Sequence, residues 1–119
     1  MRRAFLAGLS ALALSACASS TPDNPRFTGV WEWAFETSSF TTTHGEGPYW
    51  LVASGPAHDA LTAPLRQAGS TYGRVAIVVE GALSAPGHYG QLGAYQRQLL
   101  VTRVVEARLM SAMPASTGS

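Results

Sequence analysis

From residue 29 to about residue 38, apolar side chains fall on every second position: Trp31, Trp33 and Phe35 on one face, with Val30, Glu32, Ala34 and Glu36 on the other. A period of two is that of a half-buried strand, so the chain is expected to open on one long strand. Residues 41–48, containing His44, Gly45, Glu46, Gly47 and Pro48, read as a turn, and residues 49–53 as a second, shorter strand ended by Ser54-Gly55-Pro56. Leu61, Leu65 and Ala68 then recur at helical spacing, with Gly69 placed as a left-handed cap. Pro64 is incompatible with the interior of a long helix, so the spacing predicts a short one that starts near Thr62, capped by its hydroxyl.

Residues 74–83 read as a strand with Val75, Ile77, Val79, Gly81 and Leu83 on its inner face. A long connection follows, with Pro86, Gly87, Gly90 and Gly93 around Tyr89 and Tyr95. The last strand spans residues 98–109, with Leu99, Val101, Val105 and Leu109 on one side; β-branched Val101, Thr102, Val104 and Val105 favour strand over helix. The expected fold is therefore mainly β with one short helix: a small curled sheet or a partly open OB-like barrel. Four strands are plain, and a fifth is sought in the glycine-rich connection or in a bend of the first strand.

The segment before this pattern has a different character. Arg2 and Arg3 precede an apolar run over residues 4–14, broken only by Gly8 and Ser10. A membrane-spanning helix needs about 20 apolar residues, so the run reads as the core of a secretion signal. It ends in Leu14-Ser15-Ala16-Cys17, which resembles the bacterial lipobox and implies cleavage before Cys17 and lipid attachment to it. Ordinary secretion with Ala11-Leu12-Ala13 as the cleavage site is the alternative. The expected organisation is a signal peptide over 1–16, a lipidated cysteine and tether over 17–27, one OB-like domain over 28–110, and an unstructured tail over 111–119. By resemblance to enteric lipoproteins, Ala18 in place of a retaining Asp implies a cell-envelope protein sorted to the outer membrane, facing the periplasm.

Composition then removes function classes. All eight basic residues are Arg; without Arg2 and Arg3, six remain against seven acids, a net charge of −1. So small a charge gives little attraction to phosphate backbones, and no nucleic-acid partner is expected. A single cysteine excludes a disulfide framework and a thiolate metal cluster. His44, Glu46, His58, Asp59 and His88 are donors in type, but their spacing is not a metal signature, so no metal site and no cofactor are implied. Ser70 lacks the second glycine of a nucleophile elbow. Glu32 and Glu36, four residues apart on one extended strand, stand about 13 Å apart, too far for a glycosidase pair.

Residues 72–108, with Gly81-x-Leu83, the turn Pro86-Gly87 and Tyr89-Gly90-x-Leu92-Gly93, resemble the last part of OB-type domains in small envelope lipoproteins. The helix, however, precedes the third plain strand, earlier than that order requires. Phe35-Glu36-x-Ser38-x-Phe40 followed by Tyr49-Trp50-Leu51 also resembles uncharacterised bacterial proteins that carry a Cys soon after the Phe; Thr41, Thr42 and Thr43 stand there instead. Neither resemblance implies a reaction. The expectation is a non-catalytic, lipid-anchored envelope module that binds an envelope protein or glycan, with Tyr89, Tyr95 and His88 as candidate partner-binding residues. An inhibitor of a periplasmic or host hydrolase, such as lysozyme, is the alternative.

Overall fold

A computed structural model describes residues 25–113; the expected signal peptide, Cys17, and most of the tether and tail lie outside these residues. The elements are β1 (Arg26–Ala34), β2 (Thr37–Thr42), β3 (Tyr49–Val52), α1 (Pro56–Gln67), β4 (Tyr72–Leu83) and β5 (Gln98–Met113), with a single 3₁₀ turn at Gln91–Gly93. The strands close into a barrel in the order β1-β2-β3-β5-β4. Neighbours are antiparallel except β3 and β5, which run parallel. This is the OB-like barrel that the hydropathy pattern favours.

The fifth strand comes from the predicted first one, which reverses at Phe35-Glu36 and pairs Ala34 with Thr37. Trp31 then faces Phe40, and Trp33 faces Ser38. The inward positions change from odd to even numbers across the turn, so Phe35 leaves the expected apolar face and is 73% exposed. Glu36 sits in the turn as well, not on a strand face with Glu32. Counted this way, α1 lies between β3 and β4, and the apparent departure from OB order disappears.

The helix corrects a second expectation. It begins at Pro56, where a missing N–H costs nothing, rather than near Thr62. Thr62 does not cap it; its hydroxyl donates to the carbonyl of His58 at 3.0 Å. Pro64 lies inside and cannot donate to the Ala60 carbonyl, a loss placed on a turn whose Ala60 side chain is exposed. Gly69 does terminate the helix, at φ 73°, with Gly69 N–H bonded to Arg66 O (3.0 Å) and Ser70 N–H to Leu65 O (2.9 Å). That pair of bonds is a Schellman motif.

β5 is longer than its hydropathy shows, reaching Met113, and β1 starts at Arg26; the folded domain thus exceeds its expected limits of 28 and 110 at both ends. The β4–β5 register shifts three times, leaving Thr102, Val105 and Met110 opposite no residue of β4. Each such bulge inserts a residue and changes which positions face inward. Val105 is accordingly 38% exposed, while Val104, Ala107 and Leu109 pack against the core. The core itself joins Trp31, Phe40, Leu51, Val75, Ile77, Val79, Leu99 and Val101 of the barrel to Leu61 and Leu65 of α1.

Two ends of the barrel follow from the pairing. At the entry end, Arg26 faces Glu80 and the β2–β3 turn bonds back through Thr43 N–H to Thr28 O. Trp33 faces Gly73 at the far end, which also holds the Phe35-Glu36 turn, the end of β3 and the start of α1.

Candidate binding surface at the far end of the barrel

The glycine-rich connection between β4 and β5 is an ordered strap. Ser84 and Gln98 pair at its base, Gly87 N–H donates to Gln96 O, and Tyr89 and Tyr95 exchange backbone bonds of 2.8 and 3.1 Å. Leu51 points into the core, so the neighbouring Trp50 points outward from β3, and the strap lies on it. Gly90 rests against the Trp50 ring, where an added Cβ would stand 2.4 Å from it, and the Tyr95 ring centroid is 5.2 Å away. The strap leaves the entry end, yet its tip reaches the far end: Gln91 Nε2 donates to Glu36 Oε1 at 3.0 Å.

This placement gives the candidate residues distinct roles. The Tyr89 hydroxyl donates to Ala85 O at 3.0 Å, within the strap, and Tyr95 packs on Trp50. Both rings are half-buried and hold the strap in place; His88 beside them is exposed. Among the described residues the most exposed large apolar groups are elsewhere, at the two loop tips: Leu92 at 92% and Phe35 at 73%. Leu92 and Glu36, at φ 57° and 54°, are the described non-glycine residues with positive φ, and they sit in the two loops that the Gln91–Glu36 bond ties together. A non-glycine residue rarely adopts that conformation. Sequence reading missed Phe35 because it continues the alternation of β1; the unbroken run of period two hid a turn with no Gly, Pro or Asn.

Beside this tip lies an aromatic trough. Trp33 stacks on Trp31 (centroids 5.2 Å) and meets the His58 ring edge-on at 5.5 Å and the Tyr72 ring at 6.4 Å. One depression of about 270 Å³ is lined by Trp33, Trp50, Leu51, Val52, Ala53 and His58 among others. A second, of about 350 Å³, shares Trp33 and His58 and adds Asp59, Arg66, Ser70 and Thr71. A larger concavity, about 710 Å³, lies on the outer face of β1, β4 and β5 over Thr28, Val30, Ala76 and Val78. Its lining also includes Arg108 and Glu106, whose Nε and Oε2 stand 3.8 Å apart.

The remaining donors are dispersed. His44 and Glu46 lie in the entry-end turn, His58 and Asp59 on α1, and His88 on the strap. Among the described residues no three His, Cys, Asp or Glu side chains stand together as a metal cage. The Ser70 hydroxyl is placed 2.7 Å from Tyr72 O and 3.0 Å from Met113 O, joining β4 to β5. Glu80 at the entry end contacts Arg26 at 3.0 Å and Arg103 at 2.9 Å. The hydrogen bond from Arg26, with the charges of both guanidinium groups, holds its carboxyl below the usual carboxylate range.

Set against protein-family models, curated proteins and solved structures, the chain matches none. Its class therefore rests on its own strand order and helix position: an OB-like barrel with a strapped outer face.

Proposed function

We propose that the protein is a non-catalytic binding module of the bacterial cell envelope, anchored to the outer membrane through lipid on Cys17 and engaging an envelope protein or glycan with the far end of its barrel. One observation carries the reading: the two most exposed large apolar side chains among the described residues, Phe35 and Leu92, project from loops braced against each other by Glu36 and Gln91. Fixing apolar tips before contact lowers the ordering cost of association. β1 separates them from the point where the tether enters by about 26 Å of extended chain, so the anchored end and the recognising end are opposite.

The test is a crosslinked pull-down from native envelopes with the wild-type lipoprotein and a Phe35→Ser, Leu92→Ser variant. Capture of a specific partner by the wild type alone supports the module; identical capture by both removes the far end from consideration. The hydrolase-inhibitor reading draws on the same Leu92, since a braced apolar tip suits insertion into an enzyme cleft. Unchanged lysozyme activity at stoichiometric excess of the protein counts against it.

A further inference from the structure

The two depressions at the far end differ in chemistry in the way a saccharide does. The first is walled by Trp33 and Trp50 over Leu51, Val52 and Ala53; the second, which shares Trp33 and His58 with it, carries Asp59, Arg66, Ser70 and Thr71. A pyranose ring presents an apolar C–H face and a rim of hydroxyls, which suits an aromatic wall beside a polar one. At about 270 and 350 Å³, each depression has room for one ring, and the two lie on either side of the Trp33–His58 contact, so that neighbouring rings of one glycan would straddle it.

Some of the hydrogen-bonding groups along the two depressions are spoken for, Ser70 by Tyr72 O and Met113 O, and others are open. Trp31, in the core, donates its indole N–H to Ser38 at 2.9 Å. The indole N–H groups of Trp33 and Trp50, the imidazole of His58 and the carboxylate of Asp59 have no hydrogen-bond partner among the described residues. Arg66 is already committed on one side, donating to the Thr62 hydroxyl and to Asp59 O. Apolar walls with a few unsatisfied, convergent polar groups are the composition of a small-ligand site.

We infer that this trough binds a disaccharide unit of a glycan built from N-acetylhexosamines, the polymer class that makes up the bacterial wall. The inference rests on the envelope-module reading and names the ligand of its far end. One ring lies in the aromatic depression, where Val52 and Ala53 suit an acetamido methyl. The next ring presents its hydroxyls to His58, Asp59 and Thr71.

The test is titration of the detergent-solubilised full-length lipoprotein with N,N′-diacetylchitobiose, followed by tryptophan fluorescence, because Trp33 and Trp50 line the trough. The expected result is a saturable change, weakened about fivefold or more in His58→Ala and in Asp59→Ala, as for the loss of one hydrogen bond, and unaltered in His44→Ala in the entry-end turn. Circular dichroism melts of each variant establish that it folds. Absence of a saturable change at millimolar disaccharide, or wild-type affinity in both folded variants, overturns the site; equal binding of cellobiose overturns the N-acetyl assignment. Failure here with the Phe35/Leu92 variant still losing its partner leaves the binding module standing without this ligand; loss of both results removes the two together.

Discussion

At the scale of single residues, the polar groups that hold the barrel are separate from those that stay available at its far end. Ser38 is buried, yet its hydroxyl accepts from Trp31 Nε1 at 2.9 Å and donates to Leu51 O at 2.7 Å, joining β1, β2 and β3 through one side chain. Ser38→Ala leaves a buried indole N–H and a buried carbonyl without partners, so a loss of about 1–3 kcal/mol is expected in urea unfolding. Replacement by Thr, which keeps the hydroxyl, should cost less. Glu80 behaves differently because its pair is exposed to water. Its folded-state pKa is lowered, chiefly by the Arg26 hydrogen bond, so its contribution is present above the ordinary carboxylate range and is lost as pH falls through the lowered value. Thermal melts of Glu80→Gln should therefore differ slightly from wild type near neutral pH and converge with it in acid; a difference that grows in acid would contradict the pairing.

At the scale of elements, the strap depends on glycine at one contact. Gly90 has φ 72° and lies against the Trp50 ring, so Gly90→Ala adds both backbone strain and a steric clash. Overpacking of this kind costs about 1–3 kcal/mol. Faster hydrogen exchange across residues 84–97, with the β1–β4 pairing still protected, is the expected signature; uniform loss of protection would show that the strap and barrel are one unit. Much of the element pattern was legible in the sequence, since β4, the start of β5 and the Gly69 cap follow directly from alternation and from a well-placed glycine. Three features were not. The β1–β2 turn uses Phe35-Glu36 and carries no turn residue, the β5 bulges change its facing positions without any local signal, and α1 admits Pro64 because its partner carbonyl lies on an exposed turn. The far-end site was hidden for the same reason: Phe35 reads as a core residue until the turn is known, and Trp33 and His58 meet only when α1 is laid beside the end of β1.

For the whole molecule, direction along the barrel is the organising property. The chain enters β1 at Arg26, beside Glu80 and the β2–β3 turn, while Phe35, Leu92 and the aromatic trough gather at the opposite end. With lipid on Cys17, a short tether would hold the entry end toward the membrane and present the far end to the periplasm. Each buried acyl methylene contributes about 0.8 kcal/mol, so two or more chains make the attachment effectively permanent. Cys17→Ser should accordingly abolish incorporation of labelled fatty acid into the protein without lowering the melting temperature of its folded domain; labelling of the variant equal to that of the wild type would rule out lipid on Cys17. Recognition by the far end is tested by photocrosslinking in living cells, with a photoreactive residue placed at position 92 on the far end or at position 44 on the entry end. Adducts with a discrete envelope partner from position 92 and not from position 44 are predicted. Adducts from position 44 alone, or equally from both, would contradict recognition by the far end.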